Sequence, residues 1–190
     1  MEIKSLNKSF GNKIVFSNLS LSIPNGKISF IMGESGCGKT TLLRIIAGLD
    51  KKYDGEIIKE SNFISCVFQE PRLFPAITVR ENLEIVFKGS SLSLEEILEI
   101  VELDGEENSY PNSLSGGMKM RVALARALYN NGDVFLMDEP FSALDEATKE
   151  RVLPKVFSLL KGKTVIIISH DLEEAQKYAD EIIEIKKLLP

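Results

Sequence analysis

An α/β fold built on a parallel sheet follows from three features of the 190-residue sequence. Two continuous apolar runs, Val134-Phe135-Leu136-Met137 and Val165-Ile166-Ile167-Ile168, read as strands buried on both faces, the usual state of parallel strands. Helical segments alternate with such strands, the pattern that layers helices over a sheet. A glycine-rich loop, Gly33 to Thr40, joins one further strand to a helix. The length suits one compact domain with a real core, so residues 1–190 are expected to form a single domain. The chain carries no internal repeat and no low-complexity tract.

Short β-type segments open the sequence at Glu2 to Leu6, Ile14 to Ile23 and Lys27 to Met32. The glycine-rich loop follows, then an apolar helix from about Thr40 to Ala47. Two strand-like runs come next, Gly55 to Lys59 and Asn62 to Phe68. The polar, acidic middle reads as helices over Val79–Phe87 and Leu94–Leu103, with Lys88-Gly89-Ser90-Ser91 as the loop between them. Gly117 to Tyr129 is helical, with Met118, Val122, Ala125 and Tyr129 on one face. Asp145 to Leu160 also has helical character, but Pro154 inside it removes a backbone donor, so a kink or a break is expected.

An apolar fraction of 44% with 27% charged residues is that of a globular protein, and no apolar stretch approaches the roughly 18–20 residues that span a bilayer. The first residues lack the apolar core of a signal peptide. The chain is therefore expected in the cytoplasm, with no direct membrane insertion. Cys37 and Cys66 provide neither a disulfide framework nor metal-ligand spacing. A net charge of −5 argues mildly against nucleic acid, whose partners usually carry a basic footprint.

Gly33-Glu34-Ser35-Gly36-Cys37-Gly38-Lys39-Thr40 fits the G-x-x-x-x-G-K-[ST] phosphate-loop pattern, and it follows a strand and opens a helix as the motif requires. Glycines let backbone N–H groups curl around phosphate oxygens, and the helix turns its positive end to the same anion. Lys39 can reach the β- and γ-phosphates, and the Thr40 hydroxyl can ligate Mg²⁺. Cys37 lies near a helix N-terminus, where a thiol can become reactive; a small buried filler is the other reading.

Asp138 and Glu139 end an apolar strand. One carboxylate there can hold the metal through its water shell, and its neighbour can polarise an attacking water. His170, the lone histidine, ends the next apolar strand on the sheet edge where ligands of open α/β sheets collect. There it can touch the γ-phosphate.

At Leu114-Ser115-Gly116-Gly117-Met118 the sequence resembles the signature motif of ABC-type ATPases. The resemblance runs over nearly the whole chain, in the family's order. Gly33 to Thr41 is similar to the Walker A loop, Gln69 in Val67-Phe68-Gln69-Glu70-Pro71 to the Q-loop, and Asp138 and Glu139 to Walker B with its adjacent glutamate. Ser142-Ala143-Leu144-Asp145 resembles the D-loop and His170 the switch histidine, and Phe10 falls where the family sets an aromatic ring against adenine.

The resemblance implies a P-loop NTPase fold with a RecA-like mixed or parallel sheet, an N-terminal antiparallel β subdomain and a helical subdomain at about 76–130. It implies ATP and Mg²⁺ as ligands, the metal held by Thr40, Gln69 and Asp138, and hydrolysis served by Glu139, His170 and Gln69. It further implies a head-to-tail dimer with a second copy or a related ATPase subunit. In that dimer Ser115, Gly116 and Gly117 of one subunit face the other's phosphate loop, and Asp145 lies at the seam. Ser115 begins a helix and serves both as an N-cap and as part of a second anion cradle.

Within the family, Pro71-Arg72-Leu73-Phe74-Pro75, Tyr110-Pro111, Met118 and Asp138-Glu139-Pro140-Phe141-Ser142 resemble bacterial importers, most of all those of nitrate, sulfonate, taurine and related solutes. The expected partners are transmembrane permease subunits, which would hold the chain at the inner face of the membrane. The chain departs from the family pattern in a short middle helical region, in little chain after His170, and in Phe10 where tyrosine is commoner. A non-transport ABC ATPase of a soluble assembly, such as iron–sulfur cluster building, stays open as the alternative.

Overall fold

The computed structural model of the chain describes residues 1–86 and 90–186. Two sheets form the frame. In the first, β1 (Glu2–Phe10) lies between β2 (Lys13–Ser22) and β4 (Asp54–Ile58), antiparallel to both. The second is wholly parallel. Its order is β5 (Ile64–Val67), β6 (Val134–Asp138), β7 (Thr164–Ile168), β3 (Ile28–Met32) and β8 (Glu181–Glu184). Because every neighbouring pair is parallel, the C-terminal ends of β3, β5, β6 and β7 share one edge.

Side chains alternate across a strand, so β6 and β7 feed two separate cores. Phe135, Met137, Val165 and Ile167 face a core shared with α4 (Gly116–Asn130), α5 (Glu146–Leu159), α2 (Val79–Glu84) and α3 (Leu94–Ile100). Val134, Leu136, Ile166 and Ile168 face the other way, onto α1 (Lys39–Ile46) and the apolar face of the antiparallel sheet at Ile3, Leu6 and Phe16. Burial on both sides explains why these strands read as unbroken apolar runs.

The short helices α2 and α3 each start with a full capping box, Thr78 with Glu81 and Ser93 with Glu96. Among the described residues α2 stops at Glu84, followed by a turn; Phe87, Lys88 and Gly89 lie outside them. Arg121 on α4 donates to the carbonyls of Val101 and Glu102 at 3.0 and 2.6 Å, satisfying the end of α3.

The expected break at Pro154 is absent: α5 runs through it without interruption. Pro154 and Glu150, whose carbonyl loses its donor, are both exposed, so water can take that role, while Val152, Leu153, Val156 and Phe157 anchor the buried face on either side. After His170 the chain still forms α6 (Leu172–Tyr178) and β8, which completes the parallel sheet beyond β3. Among the described residues no helix is long and apolar enough to cross a membrane.

Candidate active site

The shared edge of the parallel sheet opens on a cavity of about 630 Å³. Its lining brings together Phe10, Ser35, Gly36, Gly38, Lys39, Thr40, Thr41, Gln69, Asp138, Glu139 and His170. Lys13, Val15, Ser142 and Ile168 line it too, although the sequence reading did not select them. The signal for Lys13 was available: Gly11-Asn12 makes a two-residue hairpin turn that pairs Phe10 with Lys13 across β1 and β2. Gly33, Glu34 and Cys37 belong to the loop but are not among the lining residues, nor are Ser115, Gly116, Gly117 and Asp145.

Gly38 starts α1 in a left-handed conformation, φ +104, with no side-chain cap. A Cβ there would sit 2.6 Å from a methyl of Val15 and 2.8 Å from the Phe16 ring, so only glycine lets the loop lie against β2. Lys39 is buried, and its amine donates to the carbonyls of Gly33 at 2.6 Å and Glu34 at 3.1 Å. The loop is thus pre-curled around its own cation. Of the two readings of Cys37, burial favours the filler over the reactive thiol: the residue is 3% exposed and packs in the core with Leu42 and Leu43.

Asp138 ends β6 almost fully buried. Burial pushes its carboxyl above the ordinary range, while the neighbouring Thr40 hydroxyl, Lys39 and His170 pull it down. Glu139 is raised as well, chiefly by burial and further by Asp138, with His170 opposing. Its backbone is left-handed at φ +50, a conformation that costs a non-glycine residue roughly 1–3 kcal/mol. Three hydrogen bonds hold it there. The Glu139 N–H donates to the Ile168 carbonyl at 2.9 Å, and its own carbonyl accepts from the Ser142 hydroxyl at 2.9 Å and the Ser142 N–H at 3.3 Å.

The result points the Glu139 carboxylate at the cavity. Its Oε1 is buried without a hydrogen bond, and His170 Nε2 stands 3.3 Å away. Glu139 lines the cavity beside His170, where its carboxylate can take a proton from a water held in that space. Thr40, Gln69 and Asp138 supply hard oxygens to the same space, a donor set that suits Mg²⁺. Among the described residues no group of three or more His, Cys, Asp and Glu gathers as a metal cage. Phe10 is half exposed at the cavity mouth, with Lys8 Nζ 4.5 Å from its ring centroid.

Away from the cavity, Ser115 caps α4 by accepting from the Met118 N–H at 3.2 Å. Gly116 borders open space, and a Cβ on Gly117 would meet the Ala143 carbonyl oxygen at 2.8 Å. The start of α4 therefore rests directly on the segment leading to Asp145, which caps α5 through the Thr148 N–H at 2.9 Å and hydroxyl at 2.7 Å. The Thr148 hydroxyl, then its N–H, holds the Asp145 carboxyl below the usual range.

Among known proteins, the ABC transporter family matches residues 16–142. The aliphatic sulfonates import ATP-binding protein SsuB of a Bacillus cereus strain is 42% identical over 193 residues, covering 95% of this chain and 77% of that protein. Its counterpart in Bacillus subtilis (strain 168) is 40% identical, covering 90% and 72%. The dimeric structure of MJ0796, a bacterial ABC transporter cassette, has a TM-score of 0.87 at 34% identity, covering 97% of this chain and 94% of that one. The same cassette in a dimeric post-hydrolysis state bound to ADP and Pi gives 0.85 at 34% identity, covering 97% and 93%. A phosphate loop, a carboxylate pair and a histidine on one sheet edge, in a chain so closely matched end to end, mark it as a member of the ABC transporter family, as an ATP-binding subunit.

Proposed function

We propose that this chain binds and hydrolyses ATP to power an ABC importer of small organic anions, with aliphatic sulfonates as the solute class. The convergence of Lys39, Thr40, Asp138, Glu139 and His170 on one cavity carries the ATPase reading. The sulfonate relatives support the solute class and favour transport over a soluble iron–sulfur assembly.

Lys39 holds the β- and γ-phosphates, exchanging the loop carbonyls of Gly33 and Glu34 for phosphate oxygens, and the N–H groups from Ser35 to Thr41 close around them. Phe10 covers the base. Thr40, Asp138 and Gln69 are the residues that would hold Mg²⁺, which when bound offsets the negative charge of the phosphate oxygens. Glu139 accepts the proton of the attacking water, and His170, whose Nε2 stands 3.3 Å from the Glu139 Oε1, fixes that water and the γ-phosphate from the other side. Ser115 to Gly117 of a second copy, or of a related ATPase subunit, completes the site, and the helical region at about 76–130 meets the permease subunits that hold the chain at the membrane.

The test begins with the loop. Lys39→Ala removes a charged donor worth about 1.5–3 kcal/mol, so ATP affinity should fall roughly 10–100-fold by equilibrium titration. Wild-type affinity in that variant would contradict the assignment.

A further inference from the structure

Behind Glu139 and His170 lies a second, smaller cavity of about 280 Å³, walled by Glu139, Ser142, Lys149, His170, Asp171 and Glu174. Lys149, the fourth residue of α5, reaches across it to the His170 corner. Its amine stands 2.8 Å from Glu174, 3.3 Å from Asp171 and 3.1 Å from Glu146. Lys149 and Glu174 are largely buried, their side chains 13% and 9% exposed, whereas Glu146 is 84% exposed and adds little. Burial opposes the charge on Lys149, and the surrounding carboxylates, Glu174 first, outweigh it and raise the amine's pKa. Burial likewise raises Glu174, with Lys149 opposing.

The corner itself is tightly tied. The Ser169 hydroxyl accepts from the Asp171 N–H at 3.0 Å, and the other Asp171 oxygen caps α6 by accepting from the Glu174 N–H at 3.0 Å. These bonds fix the corner to α6. The Lys149 amine bonds Asp171 at 3.3 Å and joins that unit to α5, the helix that begins at Asp145. His170 is the residue between Ser169 and Asp171, with its Nε2 3.3 Å from Glu139.

We propose that Lys149 is a positioning residue: by gripping Asp171 and Glu174 it sets the His170 corner against Glu139 and ties the placement of His170 to the α5 end that carries Asp145. The proposal rests on the roles given above to Glu139 and His170. Lys149 is not among the residues lining the larger cavity, so its loss acts on turnover through His170 and leaves nucleotide affinity alone.

The experiment measures ATP turnover and ATP affinity on the full chain for Lys149→Met, Lys149→Arg, His170→Ala and the double variant Lys149→Met/His170→Ala. Lys149→Met should lower kcat about tenfold at unchanged ATP affinity, the scale of a modest misplacement of a reacting group. Lys149→Arg should restore most of that rate, and Lys149→Met should cost little further once His170 is gone. Lys149→Met/Glu174→Gln removes the stranded buried carboxylate, so it should regain thermal stability while turnover stays low. Recovery of both in that variant would make Lys149 structural only and overturn the proposal. So would an unaltered kcat in Lys149→Met, or a full tenfold loss added on top of His170→Ala. Undiminished turnover in His170→Ala would instead overturn the underlying role of His170, and the proposal with it.

Discussion

Two glycine-bearing helix starts, those of α1 and α4, face opposite circumstances. At α1, Gly38 lacks a side-chain cap, the loop is wrapped around Lys39, and Asp138, Glu139 and His170 stand across one cavity. At α4, Ser115 caps the helix, Gly116 borders open space, and neither lines the cavity that holds Lys39, Asp138, Glu139 and His170. Both ends have the helix polarity that favours an anion. Only the first has chemistry beside it. One furnished cradle and one bare one on the same chain fit the proposal that a second subunit joins two halves of one site.

The largest effect should come from the furnished end. Glu139→Gln keeps the shape and the left-handed backbone demand but removes the proposed base, so turnover should fall roughly 10²–10⁴-fold with ATP still bound. Undiminished hydrolysis would move the base elsewhere. The bare end should respond differently. Gly117→Ala drives a methyl against the Ala143 carbonyl and shifts the start of α4, so ATP-dependent association should weaken about tenfold while a single chain binds ATP as before. Loss of ATP affinity in the isolated chain would erase the contrast between the two starts.

A smaller effect sharpens the same comparison through pH. The folded-state pKa values of Asp138 and Glu139 lie above their ordinary values, so the fold holds these protons more firmly than the unfolded chain. Their stabilising contribution is full below the ordinary carboxylate range and is lost as pH rises through the raised values. Glu139→Gln should therefore raise Tm at neutral pH, by about 2–4 °C per kcal/mol recovered, and flatten the pH dependence of Tm. A lowered Tm at neutral pH would mean that Glu139 supports the fold.

The sequence reading and the structure agree best where local pattern and tertiary demand coincide. The apolar runs of β6 and β7 are legible because burial on both faces leaves no other composition. The phosphate loop and the Asp138-Glu139 pair are legible because phosphate chemistry restricts residue type and spacing. Pro154 does not break α5, because its cost depends on whether the freed Glu150 carbonyl meets water, which only the fold decides. The C-terminal α6 and β8 escaped a reading that stopped at His170, although Asp171 followed by Glu174 has the spacing of a helix cap. Cys37 shows the limit of arguing from a helix terminus alone, since the thiol turns inward. Neither the left-handed Glu139 nor the Lys149 bridge has a local signature; each depends on residues from another strand or helix.

The claim that the two cradles meet is tested most directly by the solution mass of Glu139→Gln, measured by sedimentation with and without saturating ATP and Mg²⁺. A single chain without nucleotide and a pair of chains with it is the predicted result. A single chain at nucleotide saturation, across the concentrations at which ATP is demonstrably bound, would contradict it.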